Sequence, residues 1–292
     1  MFDLAHYLSQ QRDLVERVIH ERLPSNTTRP ARLHEAIRYS VVPGGKRLRP
    51  ILCLAAADSV TQQEISSPMP AALASAAAIE LLHTYTLIHD DLPSMDDDAL
   101  RRGKPTVHVA FGEAMAVLAG DALQTMAFEC LAEVAPGARF HSGRLVLELC
   151  KAAGSQGVIA GQVEDIAALD TTPSENTIHF VHQHKTGLLF VAAMKMGGIA
   201  ANASDAQLVA LQRYGAALGE AFQITDDLLD SPDDGTGKNE KTMTCLALYD
   251  RETAIERAAR LLDHAVDAIR QLEERGRVPL SAIARKLTDR TH

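Results

Sequence analysis

The sequence predicts an all-α fold, a single-domain multi-helix bundle around a central cavity, and three observations carry that prediction. Apolar residues recur at helical spacing almost throughout the 292 residues, and no convincing two-residue alternation appears. The chain is 46% hydrophobic but only 4% aromatic, with runs such as Ala71–Ile79. Alanine and leucine with few β-branched clusters favour helices packed closely on one another. Third, two acidic clusters, spanning 90–98 and 226–230, each stand at the end of a long apolar helix. That placement brings both clusters to one mouth of the bundle.

The elements follow in order. Periodicity predicts helices over 3–21 and 31–41, then a turn at Gly44-Gly45, with Pro50 suiting the first turn of a helix over 50–58. The stretch Ser66-Ser67-Pro68-Met69-Pro70 reads as a loop before a helix over 70–92, which Pro93 breaks. Gly103-Lys104-Pro105 closes a turn before helices over 106–111 and 113–134. Further helices are expected over 141–153, 156–168 and 174–196, the last interrupted near His184-Lys185-Thr186-Gly187. A long helix over 204–230 ends in the second cluster. A loop from residue 231 precedes helices over 243–272 and 279–288, and the last residues fray. The chain contains no linker-like stretch, so residues 1–292 read as one domain.

Composition excludes several classes of function. A formal charge of −9 offers no broad basic field for nucleic acid. Cys53, Cys130, Cys150 and Cys245 show no paired spacing and read as buried thiols of a reducing compartment. The first thirteen residues carry charges and lack a signal-peptide core, and no apolar run in the sequence approaches membrane-spanning length. These readings predict a cytoplasmic protein without an integral membrane segment.

The acidic clusters carry the chemistry. Asp226 and Asp230 are four residues apart on one helix face, flanked by Asp227 and set among Phe222, Ile224, Leu228 and Leu229. Carboxylates at a helix C-terminus oppose its dipole and call for a positive partner. Asp90 and Asp96 would diverge on a straight helix, but a break at Pro93 lets Asp96 fold back toward Asp90. Oxygen ligands without paired Cys or His select hard ions such as Mg²⁺. Arg101-Arg102 follows at once, and Gly44-Gly45-Lys46-Arg47-Leu48-Arg49 supplies a second, metal-free anion site. His83 lies two turns before Asp90 near the same face, and Gln223 lies one turn before Asp226. His89-Asp90 also matches the HD pair of metal-dependent phosphohydrolases, yet His182 and His184 complete no evident ligand set.

Together these segments resemble the trans-isoprenyl diphosphate synthases: GGKRLRP (44–50), HTYTLIHDDLPSMDDDALRRGKPT (83–106), GDALQT (120–125), GQVED (161–165), HKTG (184–187) and FQITDDLLD (222–230). The four residues between Asp91 and Asp96 look like the longer first motif of the bacterial farnesyl diphosphate synthases. The resemblance implies an isoprenoid synthase type of helical bundle, a homodimer and three Mg²⁺ ions. It implies that Asp90, Asp91, Asp96, Asp226 and Asp227 hold Mg²⁺ on an allylic diphosphate, with Asp230 acting in the outer shell. Arg101, Lys185 and a later lysine complete that clamp, and both Lys238 and Lys241 remain candidates for the later one. Lys46, Arg49, His83 and Arg102 would anchor isopentenyl diphosphate. Thr186, the Lys185 carbonyl and Gln223 would face a carbocation as neutral dipoles. Tyr85 would stop product growth at C15, about 7.5 Å down the helix from Asp90. Geranyl or geranylgeranyl diphosphate synthesis is the alternative within the family. A terpene cyclase lacks the need for a second diphosphate site, and a non-catalytic synthase subunit has no need of complete aspartate clusters.

Overall fold

The structure, a computed structural model, describes residues 2–61, 69–168, 174–230 and 244–288. Its order begins with α1 (Leu4–Arg22), α2 (Ala31–Val41), α3 (Leu48–Asp58) and α4 (Pro70–Asp90). A two-residue antiparallel ladder, β1 (Leu100–Arg101) with β2 (Lys104–Pro105), precedes α5 (Val107–Phe111), α6 (Glu113–Ala132), α7 (Arg144–Ala153) and α8 (Val158–Ala168). Then come α9 (Glu175–Val181), a π-helical turn (His182–Gly187), α10 (Leu188–Ala200) and α11 (Asp205–Asp230). A 3₁₀ turn (Cys245–Ala247), α12 (Arg251–Ala268) and α13 (Glu274–Thr288) complete it. The expected all-α bundle is what the chain adopts.

Helix α4 is the axis of the bundle. Ala71, Ala72, Ala74, Ala76, Ala77 and Ala78 are buried along it, and their small side chains let α3, α6 and α10 approach closely. Its one buried charge, Glu80, takes the Nη1 hydrogen bond of Arg47 at 2.6 Å, while Nη2 of Arg47 donates to the Val41 carbonyl at 2.6 Å. Removing either partner would leave a buried charge unmatched, at a cost of about 3–5 kcal/mol. Arg47 is thus spent inside the fold, and Lys46 and Arg49 remain for the cavity.

A second, smaller apolar cluster joins Ile224 and Leu228 of α11 to Cys245, Ala254 and Ala258. It fixes the end of α11 that carries the second acidic cluster. Two helices, α4 and α6, are long and apolar enough by length and composition to cross a bilayer, which the sequence reading did not anticipate. The apolar stretch of α4 is 72% buried, as suits a core helix, whereas that of α6 is 39% buried.

Candidate active site

Helix α4 ends at Asp90, and Pro93 keeps it from continuing. The backbone then doubles back: the Asp96 N–H donates to the Asp90 carbonyl at 2.9 Å, and those of Met95 and Asp97 donate to Leu92 at 2.8 and 3.1 Å. The fold-back predicted from Pro93 is present. Burial first of all pushes the Asp90 carboxyl up to about 6, with Lys185 opposing and Asp96 adding to the rise. Asp96 is raised in the same sense, again by burial first.

Asp91 points elsewhere. It is 4% exposed and accepts from Arg101 Nε at 2.6 Å, and Arg101 Nη2 donates to Asp98 at 3.0 Å. Burial still raises the Asp91 carboxyl despite the guanidinium, so desolvation outweighs the ion pair there. The β1–β2 ladder is what turns Arg101 back to Asp91 and sends Arg102 to the Gly44 carbonyl.

The second cluster divides in the same way. Asp227 is buried and surrounded by protein: Gln223 Nε2 donates to Oδ1 at 3.0 Å, and the Cys245 N–H donates to Oδ2 at 2.7 Å. His182 Nε2 stands 3.5 Å from the same Oδ2. Asp226, one residue earlier, lines the cavity and lies close enough to Arg49 to counter the burial that pushes that guanidinium down to about 10. Asp230 is exposed at the end of α11. Lys238 and Lys241 fall outside the described residues.

Beside the second cluster lies a cavity of about 600 Å³. Lys46, Arg49, His83, Arg101 and Arg102 line one side, and Thr186, Phe222, Gln223 and Asp226 the other. Arg49 Nη1 donates to His83 Nε2 at 3.3 Å, which places the imidazole proton on Nδ1. Burial, and then Arg49, Arg102, Arg47 and Arg101, hold His83 well below its ordinary pKa, so it is neutral. Arg49 also stacks on Phe190, with Cζ 4.5 Å from the ring centre. Five basic or imidazole side chains converging on one wall make an anion site in a chain that is acidic overall.

The interruption predicted at His184–Gly187 is a π-helical turn that bulges Lys185 and Thr186 out of the helical course of α9 and α10. Gly161 of α8 permits it, since a Cβ there would overlap the backbone of Lys185. Lys185 Nζ donates to Asp165 at 2.6 Å. Burial opposes its charge, yet Asp165, Asp90 and Asp96 together raise its pKa, so it is a fixed cation at the first acidic cluster. Thr186 Oγ1 donates to Gln223 Oε1 at 2.9 Å. A continuous relay, Thr186 to Gln223 to Asp227, therefore joins the π turn to the second cluster.

Sequence reasoning missed two supports and one buried amide. Asp165 holds Lys185, and the Glu80–Arg47 pair sets the basic turn. Gln162, 8% exposed, has neither amide atom hydrogen-bonded. Two of these residues, Gln162 and Asp165, lie in the GQVED segment (161–165), whose acidic end was the available signal. Tyr85 is half-buried on α4, edge-on to His89. His89 itself is engaged with the Val117 carbonyl, not with a metal-type cluster as in the phosphohydrolase reading.

Among the described residues no three His, Cys, Asp or Glu side chains stand close enough to hold a metal ion unaided. Mg²⁺ is usually bound by one or two carboxylates with substrate phosphates and water completing the shell. Asp90 with Asp96 on one side, and Asp226 on the other, fit that pattern: oxygen donors only, with Asp90 and Asp226 half-buried and Asp96 exposed, and carrying more negative charge than Lys185 offsets.

Comparison with known proteins identifies the family. The sequence model of the polyprenyl synthetase family matches residues 30–278. Geranylgeranyl pyrophosphate synthase 12, chloroplastic, of Arabidopsis thaliana is 38% identical over 97% of this chain and 80% of its own length. Farnesyl diphosphate synthase of Geobacillus stearothermophilus is 42% identical over 77% of this chain and 74% of its own. A crystal structure of an FPP/GFPP synthase from Zymomonas mobilis superposes with a TM-score of 0.84 at 38% identity, covering 98% of both chains.

Proposed function

Because the chain belongs to the polyprenyl synthetase family, we propose that it is a Mg²⁺-dependent prenyltransferase that joins isopentenyl diphosphate to dimethylallyl and geranyl diphosphates, giving farnesyl diphosphate. One observation carries the reading. A single cavity sets a cationic wall at Lys46, Arg49, His83 and Arg102 against Thr186, Gln223 and Asp226, and Lys185, next to Thr186, carries its charge to Asp90 and Asp96 of the first cluster.

In this scheme Lys46, Arg49, His83 and Arg102 grip the diphosphate of the nucleophilic substrate and aim its double bond inward. Asp90, Asp96 and Asp226 face the allylic diphosphate as Mg²⁺ ligands, and Asp230 contributes charge from the exposed rim. Asp91 and Asp227 act from behind, Asp91 by holding Arg101 and Asp227 by holding Gln223. When bound there, Mg²⁺ would neutralise the leaving diphosphate and lower the barrier to its departure. Arg101 and Lys185 add fixed positive charge at the same place. Thr186 and Gln223 present neutral oxygens to the developing allylic cation without trapping it covalently. The departing diphosphate takes the final proton, so no side chain is needed as base.

Tyr85 supports C15 as the stopping point, since it is half-buried one to two turns below Asp90 and packs on the core beside α6. The relatives named as geranylgeranyl synthases keep C20 as the second reading. A terpene cyclase would not need the cationic wall, and a non-catalytic subunit would not need both clusters. A homodimer is supported by the apolar side chains that α6 and α8 leave exposed, among them Leu118 at 53% and Val163 at 59%. Four free thiols, of which Cys150 is exposed and not buried as expected, suit a cytoplasmic setting.

The test is incubation with Mg²⁺, isopentenyl diphosphate and dimethylallyl diphosphate, followed by sizing of the products. A dominant C15 diphosphate, lost on chelation, is expected. A C20 product would move the assignment to geranylgeranyl synthesis, and no elongation from any allylic primer would overturn it.

A further inference from the structure

The placement of His89 extends the reading of Tyr85 as the stop, and rests on it. His89 lies one turn nearer the mouth than Tyr85 on α4, and the two rings meet edge to face, 4.9 Å apart at 78°. Its imidazole reaches across to α6, where Nε2 donates to the Val117 carbonyl at 3.1 Å and stands 4.0 Å from Asp121 Oδ1. The ring fits there only because residue 120 is glycine: a Cβ at Gly120 would overlap Nε2. Two independent features, a backbone hydrogen bond and a notch of its own size, thus fix one imidazole between the two helices.

An aromatic floor stops a growing chain only while its rotamer is fixed, and Tyr85 is merely half-buried. With the His89 ring in place, the Tyr85 ring has an edge contact on the side facing the mouth. Without it, the phenol loses that contact and can turn toward α6, off the product path. We infer that His89, seated in the Gly120 notch, is a positioning residue that holds Tyr85 across the product path and so sets product length.

Product ratio, and not rate, is the readout, because a purely structural role would lower stability or turnover without changing chain length. Four variants would be compared: His89→Ala, Gly120→Ala, Tyr85→Ala and the His89→Ala/Tyr85→Ala pair. Each is checked for folding by its melting temperature and assayed for the C20 to C15 ratio. His89→Ala and Gly120→Ala should each raise that ratio by about 2- to 10-fold, the size of a lost edge-to-face contact. Gly120→Ala matters because it displaces the imidazole while retaining it. In the Tyr85→Ala background, His89→Ala should add nothing further. An unchanged ratio in both single variants, while Tyr85→Ala lengthens the product, would overturn the role of His89 and leave the floor standing. A full additional shift in the double variant would overturn it too, by showing that His89 acts independently. No lengthening by Tyr85→Ala would remove the floor itself, and this inference with it.

Discussion

The two acidic clusters reach the same division of labour by different routes. At α4 the helix breaks at Pro93 and the chain returns, so Asp90 and Asp96 meet through a backbone hydrogen bond while Asp91 turns inward to Arg101. At α11 the helix stays regular, and Asp226 faces the cavity while Asp227 turns inward to Gln223 and Cys245. Neighbouring residues on a helix point about 100° apart. In each tandem pair the second carboxylate is held by protein donors, which under the proposed scheme leaves the first for the ligand. What distinguishes the regions is the partner: a guanidinium in the first, neutral amide and backbone donors in the second.

That comparison can be broken most severely at Asp90. Asp90→Ala should lower turnover by about 10³-fold with the melting temperature nearly unchanged, as read by steady-state assay and thermal unfolding. Asp91→Asn should cost less, about 10- to 100-fold, as expected of a residue that orients a cation. Equal losses for the two would contradict the division. On the other side, Asp227→Ala strands the Gln223 amide and the Cys245 N–H, and should destabilise the fold by about 1–3 kcal/mol in denaturant titration. Unchanged stability there would mean that Asp227 is not a scaffold residue.

The smallest effect concerns charge alone. The raised Asp90 carboxyl favours the protonated form in the fold, so it costs stability as pH rises from the ordinary carboxylate range through about 6. With chelator present, Asp90→Asn should therefore raise the melting temperature by about 2–4 °C at pH 8. The gain should fade below the ordinary carboxylate range, where the native group is already protonated in both folded and unfolded chains. A gain independent of pH would assign the effect to something other than ionisation.

Most helices were legible because burial on one face enforces apolar spacing. The exceptions have local causes. The interruption expected within 174–196 is a π turn, whose form the apolar pattern on either side does not specify. The β1–β2 ladder is two residues long per strand, too short for alternation to register. The last helix, expected over 279–288, begins at Glu274, so that α13 holds Pro279 inside it. The single helix expected over 243–272 is a 3₁₀ turn and then α12, restarted where Asp250 caps the Thr253 N–H. At the site, the convergence of the charged segments was legible from their types and order. The pairings Asp165–Lys185 and Glu80–Arg47 were not, because each joins residues 20 or more apart that only the packed bundle brings together.

The most direct test of the central claim is calorimetric binding of an unreactive allylic thiolodiphosphate, with and without Mg²⁺, to the native chain and to four asparagine variants. The account predicts binding that requires Mg²⁺, that Asp90→Asn and Asp226→Asn each weaken strongly, and that Asp91→Asn and Asp227→Asn weaken less. Affinity indifferent to Mg²⁺, or undiminished by either Asp90→Asn or Asp226→Asn, would contradict a diphosphate gripped between the two clusters.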